Sequence, residues 1–90
     1  MLHIISTSPF RSPAIRECLA IAQTGDSLLL LADGVYAVQQ GEKVFNGLSV
    51  HILGEHAEAR GISLPSWATS IDYDGMVALT EQHHPIQTWF

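Results

Sequence analysis

The stretch Ser27-Leu28-Leu29-Leu30-Leu31-Ala32-Asp33-Gly34-Val35-Tyr36-Ala37 decides the fold. An almost wholly apolar run feeds straight into an acidic-glycine turn and a short segment containing an aromatic. A strand that is apolar at every position is covered on both faces, which calls for a parallel sheet with helices on each side. Asp33 and Gly34 then fall at the carboxyl end of that strand, where open α/β sheets gather their functional groups. No complete catalytic set surrounds them.

Working outward, Leu2-His3-Ile4-Ile5 reads as a first strand and Ser6 to Phe10 as a turn. Ser12-Pro13 has the form of an N-cap followed by proline at the first helical position. The helix is expected to run to about Gln23, with Ile15, Cys18, Leu19 and Ala22 as its apolar stripe. Gly25-Asp26 turns the chain into the second strand, and the crossover is long enough for a right-handed βαβ unit. Asp33 to Val38 is expected as a short helix or turn, with a polar loop at Gln39-Gln40-Gly41-Glu42-Lys43. Ser49 to Leu53 reads as a third strand. A short helix to Arg60 follows, stopped by Gly61. Thr69 to Asp72 is a weak fourth strand. Tyr73 to His83 is a last helix with Met76, Val77, Leu79 and Thr80 on its apolar side, and Ile86 to Phe90 an edge strand. The prediction is one α/β domain over residues 1–90: three layers, α/β/α, around a mostly parallel sheet of four to five strands.

Of the 90 residues, 47% are hydrophobic and only 14% charged. A compact, doubly covered sheet accounts for part of that excess, and surface covered by a partner is the other explanation. The formal net charge of -5 disfavours direct binding to a nucleic-acid backbone, which wants a basic face. One cysteine leaves no internal disulfide and no CxxC pair. No secretory signal or membrane-length apolar run is evident, so the expected location is cytoplasmic and no membrane is implied.

Few residues carry chemistry. Cys18 is the sole candidate sulfur nucleophile, since persulfide exchange needs one thiolate. Its mid-helix position beside Ile15 and Ala22 equally suits a small buried hydrophobe. The five histidines show no spacing that converges on a metal, and none is expected. His83 and His84 are candidates for an interface or for capping the last helix, or are simply solvated surface residues. Asp33 is either a general base or, more simply, an acceptor for backbone N–H groups of the turn at Gly34. Asp72 suits the N-cap of the last helix and Asp74 its first turn. Trp67, Trp89 and Phe90 either anchor an interface or complete a small core. The glycines form no nucleotide-binding signature, and no cofactor is implied.

Several modest motifs in order extend the reading: Met1-Leu2-His3, Ser8-Pro9-Phe10, Gly25-Asp26, Leu28 to Leu31, Asp33 to Ala37, Asp72-Tyr73, Met76-Val77, Leu79-Thr80, His83 and Trp89. Together they resemble the TusB/DsrH family, among the DsrE/DsrF/DsrH-like sulfur-relay proteins, over essentially the whole length. The resemblance implies a DsrE-like fold with a five-stranded sheet. It also implies a dimer of heterotrimers, a heterohexamer with TusC-like and TusD-like sister subunits. Such a complex passes persulfide sulfur from a TusA-like carrier toward a TusE-like one, toward 2-thiouridine at the tRNA wobble position. The sulfur-carrying cysteine of that relay belongs to the TusD-like subunit, which implies a noncatalytic role here. DsrH-type members carry a cysteine near the position of Cys18, so a persulfide carrier in dissimilatory sulfur oxidation is the alternative. A standalone small-ligand module using Asp33 and Gly34 is the second. Asp33, Gly34, Tyr36, Asp72, Tyr73, His83 and Trp89 are the candidate structural or interface residues.

Overall fold

The computed structural model describes residues 1–90. Five parallel strands form one sheet in the order β4-β3-β2-β1-β5: β1 Leu2–Ile5, β2 Ser27–Leu30, β3 Ser49–Leu53, β4 Thr69–Ile71 and β5 Ile86–Trp89. β2 is central, and every one of its residues is buried. Its unbroken apolar run therefore meets a covered face on both sides. β5 lies at the edge, as expected, beside β1: Leu2 pairs with Ile86 and Ile5 with Trp89.

Three helices join the strands: α1 Ala14–Ile21, α2 Gly54–Ala59 and α3 Tyr73–Gln82. The steps β1 to β2, β2 to β3 and β3 to β4 all move the same way across the sheet. Right-handed crossovers then stack α1, the β2–β3 connection and α2 on one face. The step from β4 to β5 returns past three strands, and the same handedness puts α3 on the other face. The core divides accordingly. Thirteen buried residues, among them Ile5, Cys18, Leu30, Val35 and Ile52, form the main cluster, whereas Leu2, Leu29 and Leu79 alone form the second.

Local chemistry explains where the elements differ from expectation. Helix α1 starts one residue late: Pro13 occupies the cap position, and Ser12 Oγ accepts from the Ala14 N–H at 3.1 Å. It ends at Ile21 rather than Gln23, because Ala22 turns to extended backbone and the Gln23 N–H is taken by Asp26 Oδ2 at 3.0 Å. On its expected stripe, Ile15 and Cys18 are buried and Leu19 and Ala22 only partly.

The β2–β3 connection is more ordered than its polarity suggests. Ala32–Gln40 is a 3-10 helix and Glu42–Phe45 a second one, so the expected loop at Gln39 to Lys43 is helical except for Gly41. Gly34, Val35, Ala37 and Val38 are buried against the sheet. The 3-10 winding places Gly34 over Ala37 and Val35 over Val38, so the i and i+3 pairs share the sheet side. Gly34 makes the close approach, with its Cα against the Ile5 carbonyl where no Cβ fits. Helix α2 stops at Ala59, and Gly61 (φ +67°) follows in the left-handed region, as its sequence position suggests. In α3, Asp72 Oδ1 accepts from the Gly75 N–H at 2.8 Å, the expected N-cap. Leu79 is buried and Met76 packs beside it, but Val77 is half exposed, so the apolar side of α3 is narrower than its sequence implies.

Candidate functional site

Asp33, Arg60, His56 and Tyr73 meet at the carboxyl edge of the sheet. Arg60 Nε donates to Asp33 Oδ1 at 2.9 Å, and Arg60 Nη1 to the His56 carbonyl at 3.1 Å. The Ala32 N–H donates to His56 Nδ1 at 2.7 Å, so this nitrogen carries no proton and the tautomer is fixed. His56 Nε2 then donates to the Tyr73 hydroxyl at 2.9 Å, with the two rings edge to face. Ala32 is held at φ +49°, an uncommon conformation for alanine, as its N–H turns toward this histidine. One imidazole thus ties the start of the 3-10 helix to α2 and to the first residue of α3.

Asp33 therefore does not cap the turn, as its position suggested: its carboxylate goes to Arg60, and the Gly34 N–H bonds to the Leu31 carbonyl instead. The reason is reach, because Arg60 comes up from α2 on the same side of the sheet. An open cleft of about 450 Å³ lies beside this cluster, between the starts of α2 and α3, bounded by Gly54, Glu55, Ser70 and Asp72. The Glu55 and Asp72 carboxylates on its wall disfavour an anion, and Asp72 is already committed to its cap. His56 and Arg60 were not singled out by the sequence. The available signal was their i, i+4 spacing on a helix that follows a parallel strand, facing an acid at the end of the neighbouring strand.

Cys18 lies elsewhere, under α1 in the main core, with no exposed surface. Burial, assisted by the nearby Asp26 charge, pushes its thiol up to about 12. A protonated, inaccessible thiol neither attacks a persulfide nor accepts one. Iodoacetamide at pH 8 is expected to leave Cys18 untouched in the folded chain and to alkylate it fully in guanidinium, with intact mass as the readout. Modification of the native protein at the rate of a free thiol would refute this placement.

The remaining candidates are scattered. Gly34 is buried and Tyr36 packs against the main core. Trp67 stacks on Phe45 at 5.3 Å between ring centres, completing the core, while Phe90 stands exposed. Trp89 Nε1 donates to Nδ1 of the buried His3 at 3.1 Å, and His3 Nε2 donates to Asp26 Oδ2 at 2.9 Å. Because an indole only donates, His3 Nδ1 is unprotonated and its link to Asp26 is a hydrogen bond from Nε2–H. The amino terminus adds a contact to Asp26 Oδ1 at 3.3 Å. His83 follows α3 at its C-cap position without bonding its last carbonyls. It lies near His51, whose Nδ1 is buried without a partner; desolvation first, and then the His83 charge, lower the His51 pKa from its usual 6.5. No group of three or more His, Cys, Asp or Glu side chains converges, and no helix is long and apolar enough to cross a membrane.

Comparison with known proteins adds to this geometry. The family described as DsrH like protein matches residues 7–86. Protein TusB of Escherichia coli O81 (strain ED1a) is 34% identical over 96 residues, covering 99% of this chain and all of that protein. Protein TusB of Serratia proteamaculans (strain 568) is 37% identical over 98 residues with the same coverage. The solution NMR structure of protein Tm0979 from Thermotoga maritima superposes with a TM-score of 0.70 over 92% of this chain and 94% of that one. At 19% identity that likeness speaks for the fold alone.

Proposed function

Since the chain belongs to the TusB/DsrH family, we propose that it is a noncatalytic subunit of a sulfur-relay complex supporting 2-thiolation of the tRNA wobble uridine. Its partners in this reading are TusC-like and TusD-like sister subunits in a dimer of heterotrimers. TusA-like and TusE-like carriers deal with the complex through the sulfur-bearing sister, and the site of action is the cytoplasm.

The observation that carries this reading is the state of Cys18. A relay subunit that itself held sulfur would need an accessible thiol with a lowered pKa. The only thiol of this chain is enclosed in the core and raised to about 12. The other reactive side chains at the sheet edge are engaged with one another: Asp33 with Arg60, and His56 with Ala32 and Tyr73. These pairings suit a scaffold more than an acid–base pair, and they leave Asp33 occupied for the small-ligand alternative.

Co-expression with TusC-like and TusD-like subunits, followed by native mass spectrometry, tests the reading. A 2:2:2 assembly is expected. Within it, Cys18→Ala is expected to leave sulfur transfer at the wild-type rate, read as 2-thiouridine in isolated tRNA. A chain that stays alone beside folded sisters would overturn the assembly. Loss of transfer in an intact Cys18→Ala complex would revive the carrier alternative.

A further inference from the structure

A groove runs along α1 on the main-core face, between that helix and the end of the 3-10 segment. Its volume is about 720 Å³, and Ile15, Leu19 and Val44 give it an apolar floor flanked by Ser12, Arg16 and Gln40. Exposed Phe10 precedes it and exposed Ile21 follows it, at the two ends of the α1 segment. Large apolar side chains collected along one furrow are a marker of a covered surface rather than of ordinary solvent exposure.

Charge says what kind of partner covers it. The chain has four Lys and Arg residues, and Arg60 is taken by Asp33. The other three form no ion pair: Arg16 lines the groove, and Arg11 and Lys43 each adjoin a lining residue, Ser12 and Val44. Three of the nine carboxylates lie on the segments that bound the groove: Asp33, which is paired with Arg60, and Glu17 and Glu42, which are not. On a chain of net charge -5, these segments carry three unpaired cations against two unpaired carboxylates, a local balance of +1. The eight residues of α1 make a furrow about 12 Å long, which matches two turns of a partner helix.

We infer that the groove between α1 and the 3-10 segment seats a short, acidic, amphipathic helix of a sister subunit, apolar side chains on Leu19 and Val44 and carboxylates toward Arg16 and Lys43. Helix-in-groove docking supplies the apolar contact, and the unpaired cations fix orientation and exclude basic partners. This inference rests on the subunit reading above and assigns that reading a surface.

Lys43 is the only lysine, which makes the test direct. Carbodiimide treatment of the wild-type co-purified complex couples touching amines and carboxylates without a spacer. Peptide mass spectrometry is expected to find Lys43 joined to an Asp or Glu of a sister subunit. In parallel, the Arg16→Glu/Val44→Glu chain, verified as folded by circular dichroism, is expected to lose about tenfold or more in assembly. Val77→Glu, on α3 across the sheet, is expected to assemble normally. An assembled complex in which Lys43 stays uncoupled, or couples to a second copy of this chain, overturns the inference while the subunit reading stands. Absence of any wild-type complex removes the subunit reading, and the inference with it.

Discussion

Gly34→Ala is expected to destabilise the protein by about 3 kcal/mol or more, at the upper end of what a single added methyl does. A Cβ at this position would press on the Ile5 carbonyl oxygen, would stand 2.8 Å from the Ile5 carbonyl carbon and would stand 3.2 Å from the Ser6 nitrogen. All three are backbone atoms at the end of β1, and the Ile5 carbonyl already accepts from the Leu31 N–H at 3.0 Å. Neither side can yield without opening the sheet or lifting the 3-10 helix from it. Gly25→Ala is the comparison. Its φ of +96° disfavours a side chain, but nothing lies within 4 Å of the added methyl, so about 1–2 kcal/mol is expected. Urea unfolding midpoints of the two variants separate steric exclusion from backbone preference. Equal losses would mean that the close approach at Gly34 is absent in solution.

The second large effect belongs to His3. It is almost wholly buried, and both ring nitrogens are used, one toward Trp89 and one toward Asp26. His3→Leu keeps much of the volume and removes both bonds, leaving an indole N–H and a carboxylate short of a partner. A loss of about 2–4 kcal/mol is expected by chemical denaturation. The same network sets an acid limb. The His3 hydrogen bond, followed by that from the Gln23 N–H, lowers the Asp26 pKa from 3.8 to about 2. The unfolded chain then takes up this proton first, so the contribution is complete above about pH 4 and lost as pH falls through about 2. Asp26→Asn is expected to flatten that step in the stability–pH curve. It should leave a separate loss below pH 6.5, where His51, with its folded pKa depressed, protonates more readily in the unfolded chain. An unchanged low-pH limb in Asp26→Asn would assign acid unfolding to other carboxylates.

What the sequence made legible depended on whether the deciding partner was near. The central strand, the third strand at Ser49–Leu53 and the Asp72 cap announce themselves through local patterns, because hydrophobic runs and capping oxygens act within a few residues. The burial of Cys18 was also legible, from its place on the stripe with Ile15. The winding of Ala32–Gln40 was not, since the local pattern of apolar residues does not separate a 3-10 turn from an α turn. Asp33 is the same case at the candidate site. Its true partner is on α2, beyond a complete strand, and a turn at Gly34 is the simpler inference from neighbours alone. Trp89 and His3 stand at opposite ends of the described chain, so nothing local foretold that one orients the other.

The placement of β5 against β1 bears on how the protein is made. Each of the first three crossovers can close on strands already synthesised, but Leu2–Ile5 waits for Ile86–Trp89 to complete its ladder. While a ribosome is still translating the middle of the message, the outer edge of β1 offers unpaired N–H and C=O groups. The small cluster of Leu2, Leu29 and Leu79 also lacks its α3 member until then. A nascent chain with a ready front half and a bare back is a target for chaperones, and for premature pairing with another polypeptide. A chain cut before Ile86 is therefore expected to expose an open β1 edge rather than to form a smaller version of the same fold.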